Sequence, residues 1–161
     1  MKNKPHFTVA AAAALIVGLP IAASAAETGS AVQIIAPTDK TITPSGTWSI
    51  GARAGDFVFI GGMRGTDRVT GKMVDGDEAR VRRMFDNMLA AAEAAGATKA
   101  DAVRLTVFVT DVAKYRPLVN KVQKDIWGDG PYPPRTVLQV PALDQGDIAE
   151  IDGTFYAPVK K

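Results

Sequence analysis

Apolar positions along the chain follow two periods. Val81, Met84, Phe85, Met88, Leu89 and Ala92 stand at i, i+3, i+4, i+7, i+8 and i+11, one stripe of an amphipathic helix. Asp77 fits as its N-cap and Gly96 as its stop. A second stripe of Tyr115, Leu118, Val119, Val122 and Ile126 predicts a helix ending at Trp127–Gly128, with Pro117 tolerable only in its first turn. The other apolar runs are short, β-branched and bounded by turn residues. They predict strands at Val32–Ala36, Trp48–Ala54, Phe57–Ile60, Ala102–Thr110, Arg135–Val140 and from Ile148 to about Tyr156. Gly55-Asp56 reads as a hairpin turn, and Gly61-Gly62 closes the third strand while permitting a close backbone approach. The order β-β-β-α-β-α-β-β gives an α+β sandwich, two helices on one face of a mixed sheet. Apolar residues in Phe57–Ile60 and Val103–Val109 point both ways, so the face away from the helices is also apolar, which predicts an oligomer.

The pattern starts differently. Lys2 and Lys4 precede the apolar run Phe7–Ala23, and Ala23-Ser24-Ala25 follows as a small-residue cleavage site. These features predict a secretory signal over 1–25, cleaved near Ala25–Ala26. The run sits at the short limit of the roughly 17–25 residues that span a bilayer, and Pro20 interrupts it. A flexible mature N-terminus (26–33), one domain (34–157) and a short tail (158–161) follow, in a protein expected to be periplasmic or secreted and free of the membrane after cleavage. The chain has 161 residues, with 19 Lys+Arg against 17 Asp+Glu. Losing Lys2 and Lys4 brings the two signs level, and no basic run remains to suggest nucleic acid.

Cleavage also removes His6, the sole histidine, from a chain with no cysteine. The mature protein then has no imidazole base, no Ser-His or Cys-His nucleophile pair, no disulfide and no histidine or thiolate metal site. Carboxylates, arginines, hydroxyls and backbone groups must carry any chemistry. The stretch Pro131–Val140, PYPPRTVLQV, delivers Arg135 from a proline turn onto the start of a strand, and the next strand carries Glu150. A guanidinium fork binds a carboxylate in a fixed plane. A neighbouring acid can manage a proton or a water. Either residue can instead serve structure: Arg135 in an intersubunit salt bridge, Glu150 facing solvent.

Ala54–Ile60, Asp67 with Thr70-Gly71, Asp86–Leu89, Ala94–Ala97, Thr106–Asp111, Asn120, Tyr132-Pro133-Pro134-Arg135 and Ala149–Ile151 fall in an order that resembles the RidA/YjgF reactive-intermediate deaminase family. The resemblance covers about residues 34–157. It implies a chorismate-mutase-like fold, a homotrimer around a central barrel, ligand clefts between subunits, and no cofactor or metal. It implies hydrolysis of enamines and imines such as 2-aminoacrylate and 2-iminopropanoate to a 2-oxo acid and ammonia. By the same resemblance Arg135 takes the substrate carboxylate and Glu150 positions or activates water. Gly62 ends the third strand, and Asn87 and Asn120 are structural. Three positions depart from the family pattern: Trp48 for a tyrosine, Gly61 for a serine, and Val137, an apolar wall, for a cysteine or small residue. With Gly62 they make up the expected substrate-binding set, and their changes point to an altered substrate range. The missing hydroxyls at 48 and 61 also leave open a non-catalytic, small-carboxylate-binding or chaperone-like trimer. A chorismate mutase is a third reading, weakened because only Arg135 among the cations has a motif behind it. Arg64 follows the glycine pair as either a surface charge or a second anion contact.

Overall fold

The computed structural model describes residues 31–159; the expected signal at 1–25 lies outside them. The strands are β1 (Val32–Ile34), β2 (Gly51–Ala54), β3 (Phe57–Arg64), β4 (Ala102–Val109), β5 (Arg135–Gln139) and β6 (Ala149–Tyr156), and the helices are α1 (Asp77–Ala94) and α2 (Val112–Trp127). One mixed sheet runs in the order β1-β2-β3-β6-β4-β5. Only β4 and β5 pair in parallel; the remaining neighbours are antiparallel. The chain-terminal strand β6 thus enters the middle of the sheet, between β3 and β4.

Both helices lie on one face. α1 covers β3 and β6, and α2 lies beside it against β4 and β5. Their stripes explain the arrangement: Val81, Met84, Phe85, Met88 and Ala92 are fully buried against Val58, Met63, Leu105, Val107, Ile151 and Phe155. Burial of this much apolar surface is the main driving force that holds the layers together. On the sheet's other face Phe57, Phe59 and Tyr156 remain 43%, 46% and 47% exposed. Phe57 stacks edge-on against Tyr156 with ring centroids 5.3 Å apart. That is the bare apolar face expected from the poor alternation.

Four local expectations are corrected. Gly76, not Asp77, holds the N-cap position of α1; Asp77 is its first residue, and no side chain caps it. With Glu78 it puts acid in the first turn, where the helix dipole favours negative charge. α2 starts at Val112 because Asp111 caps it by accepting from the Lys114 N–H at 2.9 Å. Pro117 therefore falls beyond the first turn, and the Ala113 carbonyl loses its intrahelical donor. The Gly61-Gly62 pair does not close β3, which runs on to Arg64. The register shifts between Ile60 and Met63, so the glycines form an irregularity within the strand. Glycine suits such a site because the bulged backbone must bend. Finally, Trp48 precedes β2, which begins at Gly51.

Candidate active site

Glu150 and Arg135 belong to different halves of the molecule. Along β6, Ala149, Ile151, Gly153 and Phe155 are buried beneath the helices, so the alternation turns Glu150 to the opposite face. There it stands across from Arg64 on β3 and Phe108 on β4. A cavity of about 660 Å³ opens beside it, lined by Trp48, Gly62, Arg64, Asp67, Asp144 and Glu150 among others. Gly62 leaves room for the acid: a Cβ there would overlap the Glu150 carboxylate, and the acid's side chain would have to swing away. Gly61 does not line the cavity; its own Cβ would press on the Ser49 carbonyl at 3.2 Å. The two glycines thus have separate reasons, one for the acid and one for strand packing.

The cavity's rim is held by local hydrogen bonds. Asp67 accepts from the Val69 and Thr70 N–H groups at 3.1 and 2.8 Å and from the Thr70 hydroxyl at 3.0 Å. The Thr70 backbone and hydroxyl contacts hold the Asp67 carboxyl below its ordinary range. Asn87, 3% exposed, donates to the Arg64 and Thr66 carbonyls at 2.9 and 2.8 Å, fixing the end of β3 to α1. Its role is structural. Burial raises the Glu150 carboxyl above the usual carboxylate range; Arg64 opposes the rise, while Asp147, Asp152 and Asp144 add to it. A carboxyl shifted upward by its surroundings holds a proton more readily than an ordinary carboxylate, which suits it to proton exchange.

Arg135 starts β5 opposite Leu105 of β4, a fully buried residue, and turns toward α2. Its Nη1 donates to Gln123 Oε1 and its Nη2 to Asn120 Oδ1. These partners are neutral amides, so the guanidinium is oriented without being neutralised. Burial, then the nearby Arg116, draws the Arg135 pKa below its ordinary value. A second cavity of about 370 Å³ lies over it, lined by Asn120, Gln123, Lys124, Tyr132, Pro133 and Arg135. The Tyr132 hydroxyl donates to the Gly128 carbonyl at 2.6 Å, tying the proline turn to the end of α2. Asn120 thus belongs to the arginine's cradle. Val137 packs against the core beneath the helices and lines neither cavity.

Gln123 was not singled out by its residue type. The available signal was positional: it sits within the buried stripe of α2, one residue beyond Val122, and a buried amide needs a polar partner. Arg64 and Asp144 form the other unanticipated feature, an ion pair at 3.1 Å inside the Glu150 cavity. Among the described residues no group of three or more His, Cys, Asp or Glu side chains converges in a way that could hold a metal ion.

Comparison with known proteins adds four findings. The model of the family described as Endoribonuclease L-PSP matches residues 38–156. A solved structure of a probable translation initiation inhibitor from Rhodopseudomonas palustris is 95% identical, with a TM-score of 0.79 over 80% of this chain and 99% of that one. The structure of E. coli TdcF with bound serine is 27% identical, with a TM-score of 0.72 over 77% of this chain and 98% of that one. Among curated relatives, the 2-iminobutanoate/2-iminopropanoate deaminase of Dermatophagoides farinae is 32% identical over 112 residues, 68% of this chain and 84% of that protein.

Proposed function

Since the chain belongs to the Endoribonuclease L-PSP family, which includes the RidA/YjgF proteins, we propose that it hydrolyses small enamines and imines of the 2-aminoacrylate and 2-iminopropanoate type to 2-oxo acids and ammonia. The observation that carries this reading is the unneutralised Arg135 fork, held by Gln123 and Asn120. It fits a planar carboxylate through two parallel charge-assisted bonds. The relative named as an iminobutanoate/iminopropanoate deaminase and the serine in TdcF support the same substrate class. An enamine first tautomerises to its imine. Water then adds to the imine carbon, and Glu150 carries the water's proton to the nitrogen. The C–N bond breaks as the hydroxyl loses its proton to form the C=O and ammonia leaves. The substrate carbon is already electrophilic, so orientation and one proton transfer are the main contributions asked of the protein.

Arg135 and Glu150 face opposite sides of the sheet within one chain, so a complete cleft needs a second copy. A homotrimer built through the bare Phe57–Phe59–Tyr156 face would bring the arginine of one protomer to the acid of the next. Mixed trimers of Arg135→Ala and Glu150→Gln protomers, each strongly impaired alone, should regain both groups in about a quarter of the clefts. Mixing after subunit exchange and assaying turnover checks this; no recovery in confirmed mixed trimers sinks the shared cleft. The enzymatic reading itself is tested by 2-oxo acid release from 2-iminopropanoate generated in situ by an amino-acid oxidase, with a trapping competitor present. No rate gain from the purified protein refutes it.

A second reading, a non-catalytic carboxylate-binding or chaperone-like trimer, is favoured by Trp48 and Gly61, which bring no hydroxyl to the site. Calorimetric binding of 2-oxo acids without turnover would select it. The words endoribonuclease and translation inhibitor attached to the family and to the Rhodopseudomonas structure fit the site less well. Phosphate backbones need several uncompensated cations along a surface; of the two arginines Arg64 is paired to Asp144, which leaves Arg135 alone unneutralised. The proposal also places the mature chain in the periplasm or outside the cell. N-terminal sequencing of fractionated protein should begin near Ala26; cytoplasmic protein beginning at Met1 would overturn that placement.

A further inference from the structure

The Glu150 cavity holds a cation that the mechanism above does not use. Arg64 stands opposite Glu150 across the β3–β6 pairing, just past the glycine pair, and its side chain is only 20% exposed. Its Nη1 donates to the Asp144 carbonyl at 2.6 Å, and its Nη2 lies 3.1 Å from Asp144 Oδ2. The third nitrogen, Nε, lies 3.9 Å from Glu150 Oε2, attracted but beyond hydrogen-bond length. One guanidinium therefore serves two acids, tightly bound by the first and leaning toward the second.

The anchor is itself supported. Asp144 opens the short turn Asp144–Gly146, in which Gln145 adopts φ of 56°, a left-handed conformation that is uncommon for a residue with a side chain. Behind the turn Asp147 is 2% exposed. Its carboxylate accepts from the Gly65 and Ile148 N–H groups at 3.0 and 2.7 Å, and Arg80 of α1 lies 4.0 Å away. The turn carrying Asp144 is thus tied to the end of β3, where Arg64 sits.

We propose that Arg64 is a positioning residue: anchored by Asp144, it holds the Glu150 carboxylate over Gly62 in the orientation that meets substrate and water. The kinetic consequence rests on the deaminase reading; the positioning itself does not. The charges that act on Glu150 are Arg64 from β3, Asp152 from β6, and Asp144 and Asp147 from the preceding turn. Asp67 and Arg68 line the same cavity, and the β4 stretch beside Glu150, Thr106–Val109, has no titratable side chain. Arg64 opposes the effect of burial on Glu150, whereas the Asp144 charge adds to it. Removing either therefore moves Glu150 in opposite senses.

The experiment follows the Glu150 carboxyl carbon by carbon-13 NMR through a pH titration of the full protein and its Arg64→Gln and Asp144→Asn variants. The expected midpoint moves up in Arg64→Gln and down in Asp144→Asn. In parallel, Arg64→Gln lowers kcat for the imine about tenfold while KM changes little, the pattern of a lost proton-transfer geometry. Arg64→Lys, which keeps the charge, recovers part of both. Unmoved midpoints, or two that move the same way, overturn the proposal. In a protein without deaminase turnover, a Glu150 carboxylate displaced from Gly62 in the crystal structure of Arg64→Gln upholds the positioning and refutes only the deaminase reading, whereas an unmoved carboxylate overturns the positioning.

Discussion

Arg135→Ala should lower kcat/KM for 2-iminopropanoate by roughly 10²-fold, about 3 kcal/mol of lost transition-state binding, the scale for removing one partner of a desolvated charge pair. The guanidinium is half-buried and aimed by two amides, so little of its orientation has to be found on binding. Arg135→Lys should fall between parent and Ala: it keeps the charge but not the planar fork. The Ala variant also leaves Gln123, 5% exposed, without its donor, at a cost of about 1–3 kcal/mol. Thermal unfolding of the same samples separates that structural loss from the kinetic one. The deciding measurement is kcat/KM well below the melting transition. An Ala variant as active as the parent would remove Arg135 from the site.

Gly62→Ala should produce a comparable loss by a different route. Its Cβ would enter the space of the Glu150 carboxylate, forcing the acid to another rotamer or the strand to shift. The acid is the group assigned to proton transfer, and such groups contribute about 10²–10⁴-fold when positioned. We expect kcat to drop about 10²-fold with KM little changed, because the carboxylate clamp lies elsewhere. Gly62 is exposed and outside the buried core, so far-UV circular dichroism should match the parent. A kcat within twofold of the parent would show that Glu150 does not need its observed position.

The helices and most strands were legible because each is written locally. The α1 stripe repeats over three turns, and five of its six apolar positions, Leu89 excepted, are fully buried. Helix starts were less legible. Asp77 and Asp111 are the same residue type in similar settings, yet only Asp111 caps its helix through a side-chain bond. Strand order was not legible at all: β6 pairs with both β3 and β4, contacts that no local pattern encodes. The candidate site divides along the same line. Arg135 and Glu150 carried a sequence motif, and Gly62 carried a steric reason. The Arg64–Asp144 pair joins residues 80 positions apart, and Gln123 meets Arg135 only once α2 has docked on β5. Such partners become visible only in three dimensions.

The bare face around Phe57, Phe59 and Tyr156 matters also before any substrate is met. A newly folded chain exposes these rings together with β5, which among the described strands pairs only with β4. Unpaired edges beside apolar surface are a route to misassociation. In the proposed trimer other copies cover this face, so apparent stability should rise with the protein's own concentration. Dilution would disarm such a protein before heat unfolds it.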